Sequence, residues 1–328
     1  MKVSARKFAV CLSGGVAVAL AVGSLGVAAE NYPAHNVTVI IPFAPGNAND
    51  ITGRILFEQV GKQVGQAFII DNRGGAGGTI GVGQAARATP DGYNILFHSA
   101  SFSSAYVTHK TLPYDTFKDF IAVAPGGISP SVLVVSPSKG YNTAADLIAA
   151  AKAKPGAMNF ASAGIGAASH LAAEKFNVAA DIKSQHVPFK GPVEALTEVM
   201  AGRIDYYFLP IAPALALIKD GKVKALAVSS DKRAPLLPDV PTTSEIGYPK
   251  AAYAFWNGVF VPAKTPADIV KKLYDETTKA VEEPSVKARL ATLGIVPLTM
   301  SQPEFQKYFE ADVRETDVLA KAAGIERQ

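Results

Sequence analysis

Cysteine is nearly missing from this chain: the 328 residues hold one, Cys11. No disulfide framework can therefore staple the fold, and a chain of this length can bury enough core to do without one. A surplus of charge is missing as well. The 32 basic residues include Lys2, Arg6 and Lys7, and setting those three aside leaves 29 against 28 acidic residues. A near-neutral surface of this kind excludes a nucleic-acid binder, which needs a basic face. Catalytic signatures are absent too. The sequence has no G-x-S-x-G, H-E-x-x-H or C-x-x-C, and no cysteine nucleophile follows residue 30. The five histidines (His35, His98, His109, His170 and His186) show no metal-ligand spacing with Asp or Glu. No catalytic residue, metal or cofactor is therefore assigned, although a triad assembled only in space would escape such a search.

The N-terminus reads as an export signal. Met1 to Lys7 is positively charged, Phe8 to Leu25 is apolar and small, and Val27-Ala28-Ala29 fits a cleavage site that leaves Glu30 first. The apolar run is diluted by Ser and Gly, which argues against a membrane anchor. Val10 before Cys11 argues against a lipid anchor. A periplasmic protein is expected, with the signal cleaved near Ala29.

Over the whole chain, 48% hydrophobic and 18% charged residues describe a well-buried globular protein with room for two domains. Val37 to Arg54 organises the reading. Val37, Val39, Ile40 and Ile41 form a buried strand, and Pro42-Phe43-Ala44-Pro45-Gly46 breaks it. A helix capped by Asn47 or Asn49 follows, with Asp50 in its first turn and an apolar face of Ile51, Ile55, Leu56, Val60 and Val64. A strand, a tight loop and a helix mouth together make an anion site; a rigid turn without a ligand is the alternative.

The alternation continues. Strands are expected at 68–70, 93–97, 132–135, 159–161, 204–209 and 225–228, with another ending near 187 and a last one at 258–261. Thr143 and Asp146 form a capping box for the helix that runs to Lys154. Such alternation means mostly parallel sheets flanked by helices, whose ligands sit at the carboxyl ends of the strands. The loops there are 42–50, 98–104, 162–170, 188–192 and 209–213. Gly74–Gly78 lacks a P-loop ending, and Gly164-x-Gly166-x-x-Ser169 lacks the acidic residue after the next strand that a dinucleotide fold needs. Helix–sheet packing and anion capture by loop amides are the readings taken for these two.

Several motifs occur in order along the chain: Val37–Gly46 with Asp50, Asp71–Gly78 with Ile80-Gly81, and Pro90-Asp-Gly-Tyr93. They continue with Leu112-Pro-Tyr-Asp115, Asn159–Gly164 with Ser169-His-Leu171, Val187–Gly191, Lys224–Val228 and Leu237–Thr242. Together they resemble the substrate-binding proteins of tripartite tricarboxylate transporters, the TctC or Bug family. The resemblance implies a two-lobed periplasmic-binding-protein-like α/β fold with a ligand cleft between the lobes. One lobe would be 30–130 plus 251–328 and the other 131–250. It implies a monomer that is not an enzyme and delivers a small organic acid to a two-subunit membrane permease. An exported hydrolase or isomerase, or a solute sensor for a membrane kinase, are the other readings.

The expected ligand-binding residues are Phe43, Ala44, Pro45, Gly46, Asn47 and Asp50 in the first pincer loop, and Ser162, Ala163, Gly164, Ala167, Ser169 and His170 in the second. Ser99, Ala100, Phe189, Lys190, Gly191 and Leu209 complete the set. Two positions depart from the family pattern. Asn47 replaces a glycine and would narrow the pocket or add a donor and an acceptor, and Leu209 stands where a polar residue is common. Neither pincer loop holds Arg or Lys, so backbone amides are expected to grip the ligand carboxylate.

Overall fold

The computed structural model describes residues 32–327. The leader and its cleavage site lie outside the described residues. Among the described residues nine strands form one continuous curled sheet, which a long central strand divides into two wings. In the first wing, β1 (Val37–Ile41) lies between β2 (Phe68–Asn72) and β3 (Asn94–Ser99), all parallel. In the second, β5 (Met158–Ser162) lies parallel between β6 (Ser184–Pro188) and β7 (Tyr206–Pro210). The inner strands β1, β3, β5 and β7 are almost wholly buried, whereas the edge strands β2 and β6 are only partly covered.

The wings are joined by β4 (Phe120–Val135), which pairs antiparallel with β9 (Ala254–Pro262) over 120–130 and then with β7 and β8 (Lys224–Val228). Sequence reading found only the two ends of this pair, 132–135 and 258–261. Pro125, Gly126, Gly127 and Pro130 mask the rest, and the register shifts at Ala122/Ala124 and again between Pro125 and Gly127. The glycines are packing sites. A Cβ on Gly126 would meet Asn257 Oδ1 at 2.6 Å, and one on Gly127 would meet Ile295 Cγ2 at 2.7 Å.

Helices α1 (Ala48–Val64) and α2 (Thr79–Ala86) pack in the first wing. Helix α3 (Ser101–Thr108) occupies a stretch expected to be loop. Its serines gave no helical signal, yet Ser104 and Thr108 donate to the carbonyls of Ala100 and Ser104, four residues back, at 3.1 and 2.9 Å. Buried Phe102 then locks the helix against Phe120, Phe260 and Phe309. The second wing carries α4 (Ala144–Ala153, with the expected capping box), α5 (Ala168–Ala180), α6 (Pro192–Met200) and α7 (Ile211–Lys219). The chain ends with α8 (Ala267–Glu282), α9 (Pro284–Ala291) and α10 (Gln302–Ala322). Among the described residues no helix is long and apolar enough to cross a membrane.

Candidate functional site

The first loop is built from Asp50 outward. This buried carboxylate accepts from Gly46 N–H at 2.9 Å, Asn72 Nδ2 at 3.1 Å and Arg54 Nε at 3.1 Å. Asn72 also donates to Phe43 O at 3.0 Å, so one carboxylate and one amide tie the loop to β2. Burial alone would raise the Asp50 pKa, but hydrogen bonds from Arg54, Gly46 and Asn72 outweigh it and hold the carboxyl below its ordinary value. Gly46 has φ +82°, a left-handed turn that suits glycine. Asn47 caps α1: its Oδ1 accepts from Asn49 N–H at 2.8 Å and Asp50 N–H at 3.2 Å, while its Nδ2 donates to Ala44 O. Both polar ends of Asn47 thus face its own loop, and the extra donor and acceptor raised as an expectation are already engaged.

The second loop rests on imidazoles. The Ser162 hydroxyl donates to Gly164 O at 2.9 Å, which leaves its oxygen to meet His186 Nε2 at 2.6 Å. His186 stacks on His170 with centroids 3.8 Å apart and planes 10° apart, and both rings lie over Phe160. Burial lowers both histidines, and for His170 the neighbouring His186 adds to the effect. The stack is therefore neutral at ordinary pH. Glu174, whose carboxyl lies 3.8 Å from His170, is itself pushed up to about 7 by burial. Ser169 Oγ closes the loop by accepting from Ala163 N–H at 3.0 Å.

These two loops face each other across a cleft of about 420 Å³. Ten expected residues line it: Phe43, Ala44, Pro45, Asn47, Ser99, Ala163, Ala167, Ser169, Lys190 and Gly191. The other eight do not. Gly46, Asp50, Ser162, Gly164 and His170 shape the loops from behind, through the bonds just described. Ala100 is fully buried, with its N–H on Trp256 O. Phe189 packs against the apolar cluster of the second wing, and Leu209 is fully buried within it, beside Val132 and Leu196. Tyr207 and Pro210 border the cleft where Leu209 was expected, so the departure from the family pattern at Leu209 does not reach the cleft.

Six further lining residues, Ala48, Ser101, Ala168, Pro192, Pro210 and Pro213, lie in the loops singled out from the sequence but were not picked as contacts, whereas Val193, Glu194, Tyr207 and Phe255 lie outside those loops. Val193 and Glu194 are first-turn positions of α6, one and two residues past the expected loop 188–192. Phe255 enters only through the tertiary fold. Ser101 matters most: its Oγ accepts from Ala168 N–H at 2.9 Å, a hydrogen bond from the first wing to the mouth of α5.

The floor of the cleft is rich in donors. Helices α1 and α5 both open onto it, and Ala48 N–H and Ser169 N–H have no hydrogen-bond partner among the described residues. The oxygens of Ser99, Ser101 and Ser169 each receive a backbone N–H, which leaves the hydroxyl protons to donate. Two helix mouths and three hydroxyls suit a carboxylate. No group of three or more His, Cys, Asp or Glu side chains suited to a metal occurs among the described residues.

The model of the tripartite tricarboxylate transporter family receptor, TctC, matches residues 52–325. The chain belongs to this family. BugT of Bordetella pertussis is 31% identical over 316 residues, covering 96% of this chain and 95% of that protein. Two solved structures share the fold. An R. palustris protein with adipate has 28% identity and a TM-score of 0.84, covering 90% of this chain and 100% of that one. MatC from Rhodopseudomonas palustris with bound malate has 29% identity and a TM-score of 0.82, covering 88% and 99%. The TctC chain described here therefore has the two-lobed periplasmic-binding-protein fold that its motifs implied, and it is a solute-binding protein by family.

Proposed function

We propose that this protein captures a small organic carboxylate in the cleft and delivers it to a two-subunit membrane permease, without transforming it. The observation that carries the reading is the floor, where two unpartnered helix-mouth amides and three serine hydroxyls converge. Backbone donors of this kind stabilise an anion without a fixed cation. Each helix terminus contributes roughly 0.3–2 kcal/mol, and micromolar binding needs about 8 kcal/mol. Hydrogen bonds and burial of the ligand's apolar part supply the remainder. Adipate and malate, held by two structural neighbours, are carboxylates of suitable size.

On this reading the lobes are 30–130 plus 251–328 and 131–250, with β4 and β9 as the paired crossings between them. The mature protein is a periplasmic monomer beginning near Glu30. Melting temperature measured against a panel of organic acids, with product assayed for each hit, tests the function. Stabilisation without turnover is expected; product formation would make the protein an enzyme instead.

A further inference from the structure

Alternation along β7 sends Tyr206 and Phe208 into one apolar cluster and Tyr207 and Leu209 into another. Flanked by Val134 on β4 and Ala161 on β5, Tyr207 is only 1% exposed, yet it lines the cleft. The two tyrosines end differently. Tyr206 donates to Asn177 Oδ1, whereas the Tyr207 hydroxyl has no hydrogen-bond partner among the described residues and is not sealed from solvent. The little surface that Tyr207 shows to the cleft therefore includes this oxygen. Burial raises its pKa, and the nearby Ser169 hydroxyl partly offsets the rise without bonding to it. The phenol is thus neutral, with its proton free to donate.

Donors at the cleft outnumber what one carboxylate can accept. The N–H groups of Ala48 and Ser169 and the hydroxyls of Ser99, Ser101 and Ser169 already exceed its roughly four lone-pair sites. At the mouth of α6 the N–H groups of Gly191, Val193 and Glu194 have no partner among the described residues either, and Lys190 stands exposed beside them. A ligand that satisfies these donors carries acceptor oxygens beyond one carboxylate. Tyr207 neighbours Ser169, at the mouth of α5, so the oxygen it serves lies close to the carboxylate.

We infer that Tyr207 is a specificity-determining residue, whose hydroxyl donates to a hydroxyl or keto oxygen on the carbon next to the ligand's carboxylate. The inference rests on the carboxylate reading given above. The α6 mouth and Lys190 serve the other end of the ligand, and they bear equally on acids that differ only in this oxygen.

Calorimetric titration of the mature full chain with matched acids tests this. The pairs are malate with succinate, 2-oxoglutarate with glutarate, lactate with propionate, and mandelate with phenylacetate. Members of a pair share their carboxylates and differ in the one oxygen, and the hydroxy and keto arms tell which form of it is taken. In at least one pair the oxygenated acid is expected to bind about fivefold or more tighter, and in Tyr207→Phe that ratio is expected to fall about threefold or more. The variant removes an oxygen with no partner in the protein, and a melting curve verifies its fold. The wild-type preference is a test that needs no variant. No preference in any pair would overturn the inference and leave the carboxylate reading standing. A ratio unchanged in Tyr207→Phe would overturn it too, and an equal loss for both members would put the phenol on the carboxylate itself. No acid binding to wild type would overturn the carboxylate reading and the inference with it.

Discussion

The loop at 42–47 is braced by a carboxylate, whereas the loop at 162–167 is braced by two stacked imidazoles. Asp50 works ionised, drawing Gly46, Arg54 and Asn72 onto one charge. His170 and His186 work neutral, packed face to face with a serine hydroxyl in between loop and ring. Both arrangements leave a helix mouth facing the cleft. The contrast teaches that the cleft-facing geometry is set by backbone, and that different side chains can hold the same backbone. It also means the two halves of the floor should respond differently to mutation and to acid.

The largest effect is expected from Asp50→Ala. It leaves Gly46 N–H, Asn72 and the Arg54 charge without their acceptor, which costs about 2–3 kcal/mol. Urea denaturation should show that loss, and ligand binding should fall with it. An intact affinity would mean that the first loop needs no brace.

Acid separates the two braces next. Because burial lowers the folded pKa values of His170 and His186, their contribution is complete above the ordinary histidine value of 6.5 and is lost as pH falls toward the folded values. His98, fully buried under Phe43 and lowered to about 3, adds to the same slope. Glu174 opposes it: with its pKa raised to about 7, its contribution is present at low pH and is lost as pH rises through 7. Asp50 enters only near and below its ordinary value of 3.8. Stability should therefore fall between pH 6.5 and 5 in wild type, and less steeply in His186→Phe, which keeps the stack but removes one titrating ring. Asp50→Asn should keep the wild-type slope in that window. Equal slopes in wild type and His186→Phe would remove the imidazole brace from the account.

Smaller effects follow at the contact between the wings. Ser101→Ala deletes the hydrogen bond to Ala168 N–H and should cost about 1 kcal/mol. If that bond helps hold the wings together, small-angle scattering of the unliganded variant should show a larger radius than wild type. The smallest change is expected from Asn47→Gly, a few tenths of a kcal/mol by the usual ranking of caps. It frees the amides of Asn49 and Asp50, so affinity for a carboxylate should rise even as stability slips.

Much of this was legible in the sequence where signals are local. The buried run of β1, the Pro/Gly break and the Asn cap read directly as strand, loop and helix mouth. The capping box at Thr143 did the same for α4. What escaped was set by tertiary packing. Helix α3 is a serine-rich segment made helical by burial of Phe102. The continuity of β4 through Pro125 and Gly127 depends on its pairing with β9, more than a hundred residues away. The lining of the cleft divides in the same way: most of it comes from loops with recognisable turn chemistry, while Tyr207 and Phe255 join it through a meeting no local pattern announces.

The most direct test of the backbone grip is amide chemical shift during ligand titration. The N–H signals of Ala48 and Ser169 are expected to move downfield together as a carboxylate binds, in wild type and in Lys190→Ala alike. Shifts confined to the 190–194 segment, lost in Lys190→Ala while the protein stays folded, would contradict the account and put a point charge at the rim in place of the two helix mouths.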